Sequence, residues 1–252
     1  YSDKSGEYQI YTADAGGDQA WQQLTTDLDR YAYHLEWSPD GSKLLFGNKD
    51  FSLFYLDIPT KKLTKFASSN QLKNDEFFWE VSDYSWSPDG RWIAYSFVEF
   101  NRNNKVFLYS LDQARSYPVT DGFYDSLNPS FDANGEYLYF LSYRDFTARM
   151  DIFEDNHVIL NPVQVMAVQL KAGQAPPFTK GAPRTAEAQP FKIDVTGLDQ
   201  RVFPLPVKAG NYFFLKAGKG AVTWASTDFF GESEYETVFT PSGEDKWTLH
   251  IF

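Results

Sequence analysis

The sequence predicts an all-β chain: a partial β-propeller of about four to five blades, each a four-stranded antiparallel meander. Three observations predict it. First, Trp37-Ser38-Pro39-Asp40-Gly41 recurs as Trp86-Ser87-Pro88-Asp89-Gly90 and, in weaker form, as Phe131-Asp132-Ala133-Asn134-Gly135. The repeat is about 45–50 residues long, the size of one blade. Second, each copy has the chemistry of a tight turn: in the first two, Pro presets φ at the second position, and in all three Gly accepts a left-handed conformation after Asp or Asn. Third, each turn leads into a strand-sized apolar run: Lys43-Leu44-Leu45-Phe46, Trp92-Ile93-Ala94-Tyr95, or Tyr137-Leu138-Tyr139-Phe140-Leu141. Such runs fit strands covered on both faces by neighbouring sheets.

The elements follow in order. Residues 7–12, a turn at 14–17 and residues 21–25 read as the outer half of a blade, within a piece at 1–33. In the blade at 34–70, Ser52-Leu53-Phe54-Tyr55-Leu56 is a third strand, 59–62 a turn, and 63–66 a more polar outer strand. The blade at 80–122 repeats this with Lys105-Val106-Phe107-Leu108-Tyr109, a turn at 112–115 and an outer strand at 117–120. Pro118 suits an outer edge, where a missing donor costs least. The blade at 126–207 is interrupted by long loops at 143–162 and at 171–190, the second holding Pro176, Pro177, Pro183 and Pro190. Its third strand is expected at 163–170 and its fourth at 201–207. A last piece, 208–252, starts with Asn211-Tyr212-Phe213-Phe214-Leu215, turns at 218–220 and ends on a third strand, Trp247-Thr248-Leu249-His250-Ile251-Phe252. The chain thus reads as one propeller domain or fragment that starts and ends mid-blade. Either the missing strands sit elsewhere in a longer protein, or the half-blades complete each other.

Composition narrows the function classes. With 42% hydrophobic and 18% aromatic residues, the chain is too apolar for disorder. No apolar run approaches the roughly 18–20 residues of a membrane-spanning helix. A formal net charge of −11 argues against a nucleic-acid partner, which needs Lys and Arg against phosphates. The absence of cysteine removes disulfides, thiolate nucleophiles and thiolate-ligated zinc. The chain opens on Tyr1-Ser2-Asp3-Lys4-Ser5, with neither an initiator Met nor a basic-plus-apolar leader, which reads as a chain cut from something longer.

The repeat resembles that of TolB-type propellers, of prolyl-oligopeptidase-like propellers and of tricorn proteases. More specific are Asn128-Pro129-Ser130-Phe131 through Tyr143-Arg144-Asp145-Phe146, with the long insertion and Asn161-Pro162, and Arg201-Val202-Phe203-Pro204-Leu205-Pro206-Val207 through Gly210-Asn211-Tyr212. These resemble the second propeller region of tricorn-type serine proteases. The resemblance implies a non-catalytic segment that forms or gates a channel for peptide substrates. It implies as partners the remaining propeller, PDZ and protease domains of a parent chain, leaves a homo-oligomer open, and points to the periplasm, with the cytoplasm as the alternative. A TolB-like protein-interaction scaffold and the propeller cap of a prolyl-oligopeptidase-like hydrolase are the competing readings.

The residues themselves offer no catalytic, cofactor or metal site. Of the three histidines, His34 and His250 fall in predicted strands, where a structural role is expected, and His157 lies in the long insertion, expected at the surface. No Gly-x-Ser-x-Gly elbow presents a serine, and Gly231-Glu232-Ser233-Glu234 does not match one. Asp151, Glu154 and Asp155, and likewise Asp228, Glu232 and Glu234, could gather a cation but read as solvated loops. Gly16-Gly17, Gly218 and Gly220 serve hairpins. Lys49-Asp50-Phe51 and Arg144-Asp145-Phe146 hold equivalent places in two blades. They read either as ligand contacts or as turns in which Asp caps amides and the aromatic packs inward. Trp37 and Trp86 read as packing residues.

Overall fold

The apolar run after each Ser-Pro-Asp-Gly turn becomes the second strand of a sheet, and its alternate side chains enter two different cores. The computed structural model describes residues 1–16, 20–26, 28, 31–68, 83–146, 148–150, 157–159, 161–176, 178–179, 191–227 and 247–252. In chain order, β1 (Tyr11–Thr12) pairs with β2 (Gln22–Gln23). The strands β3 (Ala32–Trp37), β4 (Lys43–Asn48), β5 (Ser52–Asp57) and β6 (Lys62–Ser68) form a four-stranded meander. So do β7 (Tyr84–Trp86), β8 (Trp92–Val98), β9 (Asn104–Ser110) and β10 (Arg115–Pro118). The next blade contains β11 (Ser126–Phe131) and β12 (Tyr137–Tyr143), then a separate hairpin of β13 (Ala148–Met150) and β14 (His157–Ile159), and returns as β15 (Val163–Gln169) and β16 (Val202–Pro204). Finally β17 (Tyr212–Ala217), β18 (Val222–Thr227) and β19 (Trp247–Ile251) form a three-stranded sheet. Every pairing between these strands is antiparallel.

The period of two explains how the blades stack. In β4, Leu44 and Phe46 enter a core with Ile10 and Leu24, while Leu45 turns to Trp86 and Ile93. In β8, Ile93, Tyr95 and Phe97 face back and Ala94 faces forward. In β12, Leu138 and Phe140 face back toward Leu108, whereas Tyr139 and Leu141 face forward toward Leu215 and Trp224. Each of these three second strands is therefore a wall shared by two hydrophobic cores. Five sheets in sequence enclose four such cores, and among the described residues no core or sheet pairing joins the two ends of this arc. The propeller is partial and open.

The repeated turn is built alike in the first two copies. Ser38 Oγ donates to Asp40 Oδ1 at 2.6 Å and accepts from the Lys43 amide at 2.9 Å. Ser87 repeats this with Asp89 and the Trp92 amide at 2.6 and 2.9 Å. In the degenerate third copy Asp132 takes over the serine's accepting role, binding the Glu136 and Tyr137 amides at 2.7 and 2.9 Å. Gly41, Gly90 and Gly135 close the three turns at φ of 69°, 67° and 66°, the left-handed region that disfavours side chains.

Several local expectations change. The insertion at 143–162 is not bare loop: Ala148 pairs with Ile159 and Met150 with His157, so His157 belongs to a strand. Its strands are only three residues long, too short to show an alternation of apolar and polar residues. The outer strand expected at 117–120 is β10, two residues earlier; there the Val119 amide turns inward to Val106 O at 2.8 Å. Trp37 also departs from the packing role: Trp86 is buried but Trp37 is 49% exposed. Trp86 reaches back to the preceding inner strand, where its Nε1–H donates to Glu36 O at 3.2 Å. Trp37 faces back likewise, and β1 and β2 place no equivalent inner strand there among the described residues.

Candidate functional site at the innermost strands

The first strands of the blades converge: β11 lies against both β7 and β17, whereas the fourth strands diverge. The first strand is therefore the innermost, and three of the four carry the same irregularity. Register slips between Tyr33 and Glu36, between Leu127 and Ser130, and between Phe213 and Lys216. Within each slip sits one non-glycine residue at positive φ: His34 at 49°, Asn128 at 52° and Phe214 at 54°. Each lies three residues before the turn position held by Trp37, Phe131 and Ala217. These are β-bulges, which break alternation and swing a side chain off the blade face.

The bulges are held by contacts that cross from blade to blade. Tyr84 donates its hydroxyl to the carbonyls of Tyr33 and His34, at 3.0 and 2.5 Å, and accepts from the Gly47 amide at 3.3 Å. Asp83, in the equivalent position of its own blade, accepts from Asn128 Nδ2 at 2.6 Å and from the Asn128 amide at 3.1 Å. Ser85 donates to Pro129 O at 2.9 Å, and the Ala217 amide donates to Ser130 Oγ at 3.0 Å. One inner strand is thus fastened to the next through the polar groups that the bulges free.

One electrostatic effect links inner strands of non-adjacent blades. Glu36 on β3 is half-buried, and burial raises its carboxyl above the ordinary value; the charge of Lys216 on β17 and the Trp86 amide oppose that shift. The sheets carrying Glu36 and Lys216 are separated in sequence by two intervening blades. Lys216 is exposed. The charge of Lys216 is thus felt at Glu36 although two blades separate them in sequence.

The other residues singled out from the sequence fall as follows. His250 lies on β19, its Nε2 2.7 Å from Ser226 Oγ and its ring stacked on Trp224 at 5.4 Å. Among the described residues no carboxylate completes this serine–histidine contact into a triad, and no group of three metal-ligating side chains gathers. Asp151, Glu154, Asp155, Asp228, Gly231, Glu232, Ser233 and Glu234 lie outside the described residues. Lys49-Asp50-Phe51 and Arg144-Asp145-Phe146 prove unlike. Phe51 is 7% exposed, and Asn48 Oδ1 accepts the amides of its turn, whereas Phe146 is 57% exposed. The inward-packing reading holds for Phe51 and fails for Phe146. The inner-rim set, Glu36, Asp83, Asn128 and Lys216, carries no sequence motif; its only signal is position, counted back from the repeated turn.

The whole chain, residues 1–252, matches the family model described as the tricorn protease second beta propeller domain. It is 27% identical over 202 residues to a putative tricorn-like protease C-terminal subunit of Sulfurisphaera tokodaii, covering 80% of this chain and 22% of that protein. It is 27% identical over 206 residues to the tricorn protease of Thermoplasma volcanium, covering 79% and 19%. The chain thus spans about a fifth of the length of these relatives. The crystal structure of the tricorn protease superposes with a TM-score of 0.78 at 20% identity, over 92% of this chain and 22% of that one, a likeness of fold. With the repeat, the bulged inner strands and the stacked cores all in place, the chain belongs to the family of tricorn protease second β-propeller domains.

Proposed function

We propose that this chain is a non-catalytic propeller segment of a tricorn-like serine protease and that its inner strands border a channel through which peptide substrates pass. The observation that carries the reading is that the first strands of successive blades are tied to one another, β3 and β11 each to β7 and β11 to β17, by Tyr84, by Asp83 and Ser85, and by Ser130. The inter-blade hydrogen bonds support a rigid rim, as a size filter requires: an extended chain passes and a folded domain does not. Chemistry is assigned elsewhere, in the part of the parent protein beyond these residues.

The test is photocrosslinking in the intact protein, with a photoreactive residue replacing Lys216 and a control replacing Lys61. Lys61 lies in an outer hairpin, where its Nζ donates to Gln23 O at 3.1 Å. With hydrolysis inhibited and a long unfolded peptide present, adducts are expected from position 216 and not from 61. Equal adduct formation at both positions would overturn the reading.

A further inference from the structure

On the face opposite the Ser-Pro-Asp-Gly turns, the connection before β11 and the chain leaving β12 bring one cation and three aromatic rings together. Arg144 lies over the Tyr124 ring at 4.9 Å, Phe146 stacks on Tyr124 at 6.0 Å, and Phe123 meets Tyr124 edge-on at 5.2 Å. Phe123 and Phe146 are 73% and 57% exposed, so the rings form a surface and not a core.

The cation is held in one orientation from three sides. Its Nε donates to the buried Ser142 Oγ at 2.9 Å, its guanidinium rests on Tyr124, and the Arg144 and Asp145 amides both reach Pro162 O at 3.0 Å. The neighbouring loop is equally fixed: Asn101 and Asn103 donate to Gly122 O at 2.8 and 3.2 Å, and Asn103 also to Phe123 O at 2.8 Å. Partial burial disfavours the charge on Arg144, offset by the fields of Asp121 and Tyr124. Yet among the described residues no carboxylate lies within ion-pair distance of it, and Asp121 spends its Oδ1 on the Phe123 amide. The terminal amino groups of an oriented guanidinium form a fork that matches a carboxylate in two parallel hydrogen bonds.

We propose that Arg144, with Tyr124 and Phe146, binds the C-terminal carboxylate of a peptide whose last residue is apolar or aromatic. An α-carboxylate carries its side chain one bond away, which sets that side chain on the rings beside the guanidinium; the carboxylate of Asp or Glu carries no such group. The proposal rests on the reading that this propeller handles peptides, and it makes the opposite face a holding site for peptide ends.

The test compares three N-acetylated peptides binding to the intact protein, by fluorescence anisotropy: one ending in Phe with a free carboxylate, the same peptide as its C-terminal amide, and an amide carrying an internal Asp. The acid is expected to bind about tenfold or more tightly than either amide, the scale of one charge-assisted pair. Arg144→Gln abolishes that difference. Arg144→Lys, which keeps the charge but not the fork, retains only part of it. Phe146→Ala, at an exposed position, weakens the acid while leaving the fold intact. Equal binding of acid and amide, an Asp-bearing amide that matches the acid, or a discrimination that survives Arg144→Gln would each overturn the site. Crosslinking at position 216 is independent of all these outcomes, so loss of this site leaves the channel reading separately tested.

Discussion

Replacing Tyr84 by Phe removes one oxygen and leaves the ring in place, so it isolates the latch on the first bulge. That hydroxyl donates to the carbonyls of Tyr33 and His34 and accepts from the Gly47 amide, all on the neighbouring blade. Tyr84 is buried, and the His34 carbonyl belongs to a bulge whose ladder register is already broken. No cavity beyond one hydroxyl opens, so the cost is that of leaving buried backbone groups unpaired, about 1–3 kcal/mol. A mid-range loss of about 2 kcal/mol speeds exchange through local opening by about 30-fold. Hydrogen exchange of the intact protein, read on peptides covering β3 and β4, measures it directly. Protection should fall there, with the Gly47 amide most affected, and stay unchanged at β15 and β16. A change below about threefold, or one spread evenly over all blades, would refute the claim that this hydroxyl fastens adjacent inner strands.

Other perturbations follow from the same structure. Glu36 has its carboxyl raised by burial, so its cost is absent below the unfolded value of about 4.3 and grows as pH rises through the native one. Glu36→Gln should therefore stabilise the first described four-stranded blade at neutral pH and change nothing at pH 4, in an unfolding series across pH. Asp40 is the opposite case: hydrogen bonds from Ser38 and Ser42 hold it down to about 2. Asp40→Ala should lose stability at neutral pH, and the deficit should shrink as pH falls from about 4 toward 2; exposure keeps the effect small. Gly135→Ala places a Cβ 2.1 Å from the Phe191 ring at a φ of 66°, whereas Gly41→Ala meets nothing within 4 Å. The first should cost roughly 2–5 kcal/mol from left-handed strain plus overpacking, and the second about 1–2 from strain alone, in equilibrium unfolding.

The blades were legible because their causes are local. A turn that needs Pro and Gly, followed by an apolar strand, repeats wherever a blade repeats, and Leu44, Ile93 and Leu138 occupy the same place in three copies. The inner rim was not legible, because it arises from convergence of strands far apart in sequence. Nothing local pairs Tyr84 with the His34 carbonyl or lets the charge of Lys216 reach Glu36. The bulges left one faint trace, a residue three positions ahead of the turn, with His34 and Asn128, but not Phe214, of types enriched at positive φ. The hairpin of β13 and β14 was hidden by strands only three residues long, and the exposure of Phe146 by its likeness to buried Phe51. Trp37 misled for a related reason: its repeat mate Trp86 is covered by an inner strand of the preceding blade.

The central claim is that peptides travel through the opening that Lys216 borders. Its most direct measurement is to block that opening in the intact protein: Lys216→Cys, coupled to a bulky polyethylene glycol maleimide, with Lys61→Cys coupled likewise as the control. This chain has no cysteine of its own, so the label enters it at one place. The account predicts that hydrolysis of long unfolded substrates falls steeply when position 216 is coupled and is unchanged when position 61 is. Hydrolysis that proceeds equally in both conjugates would contradict it.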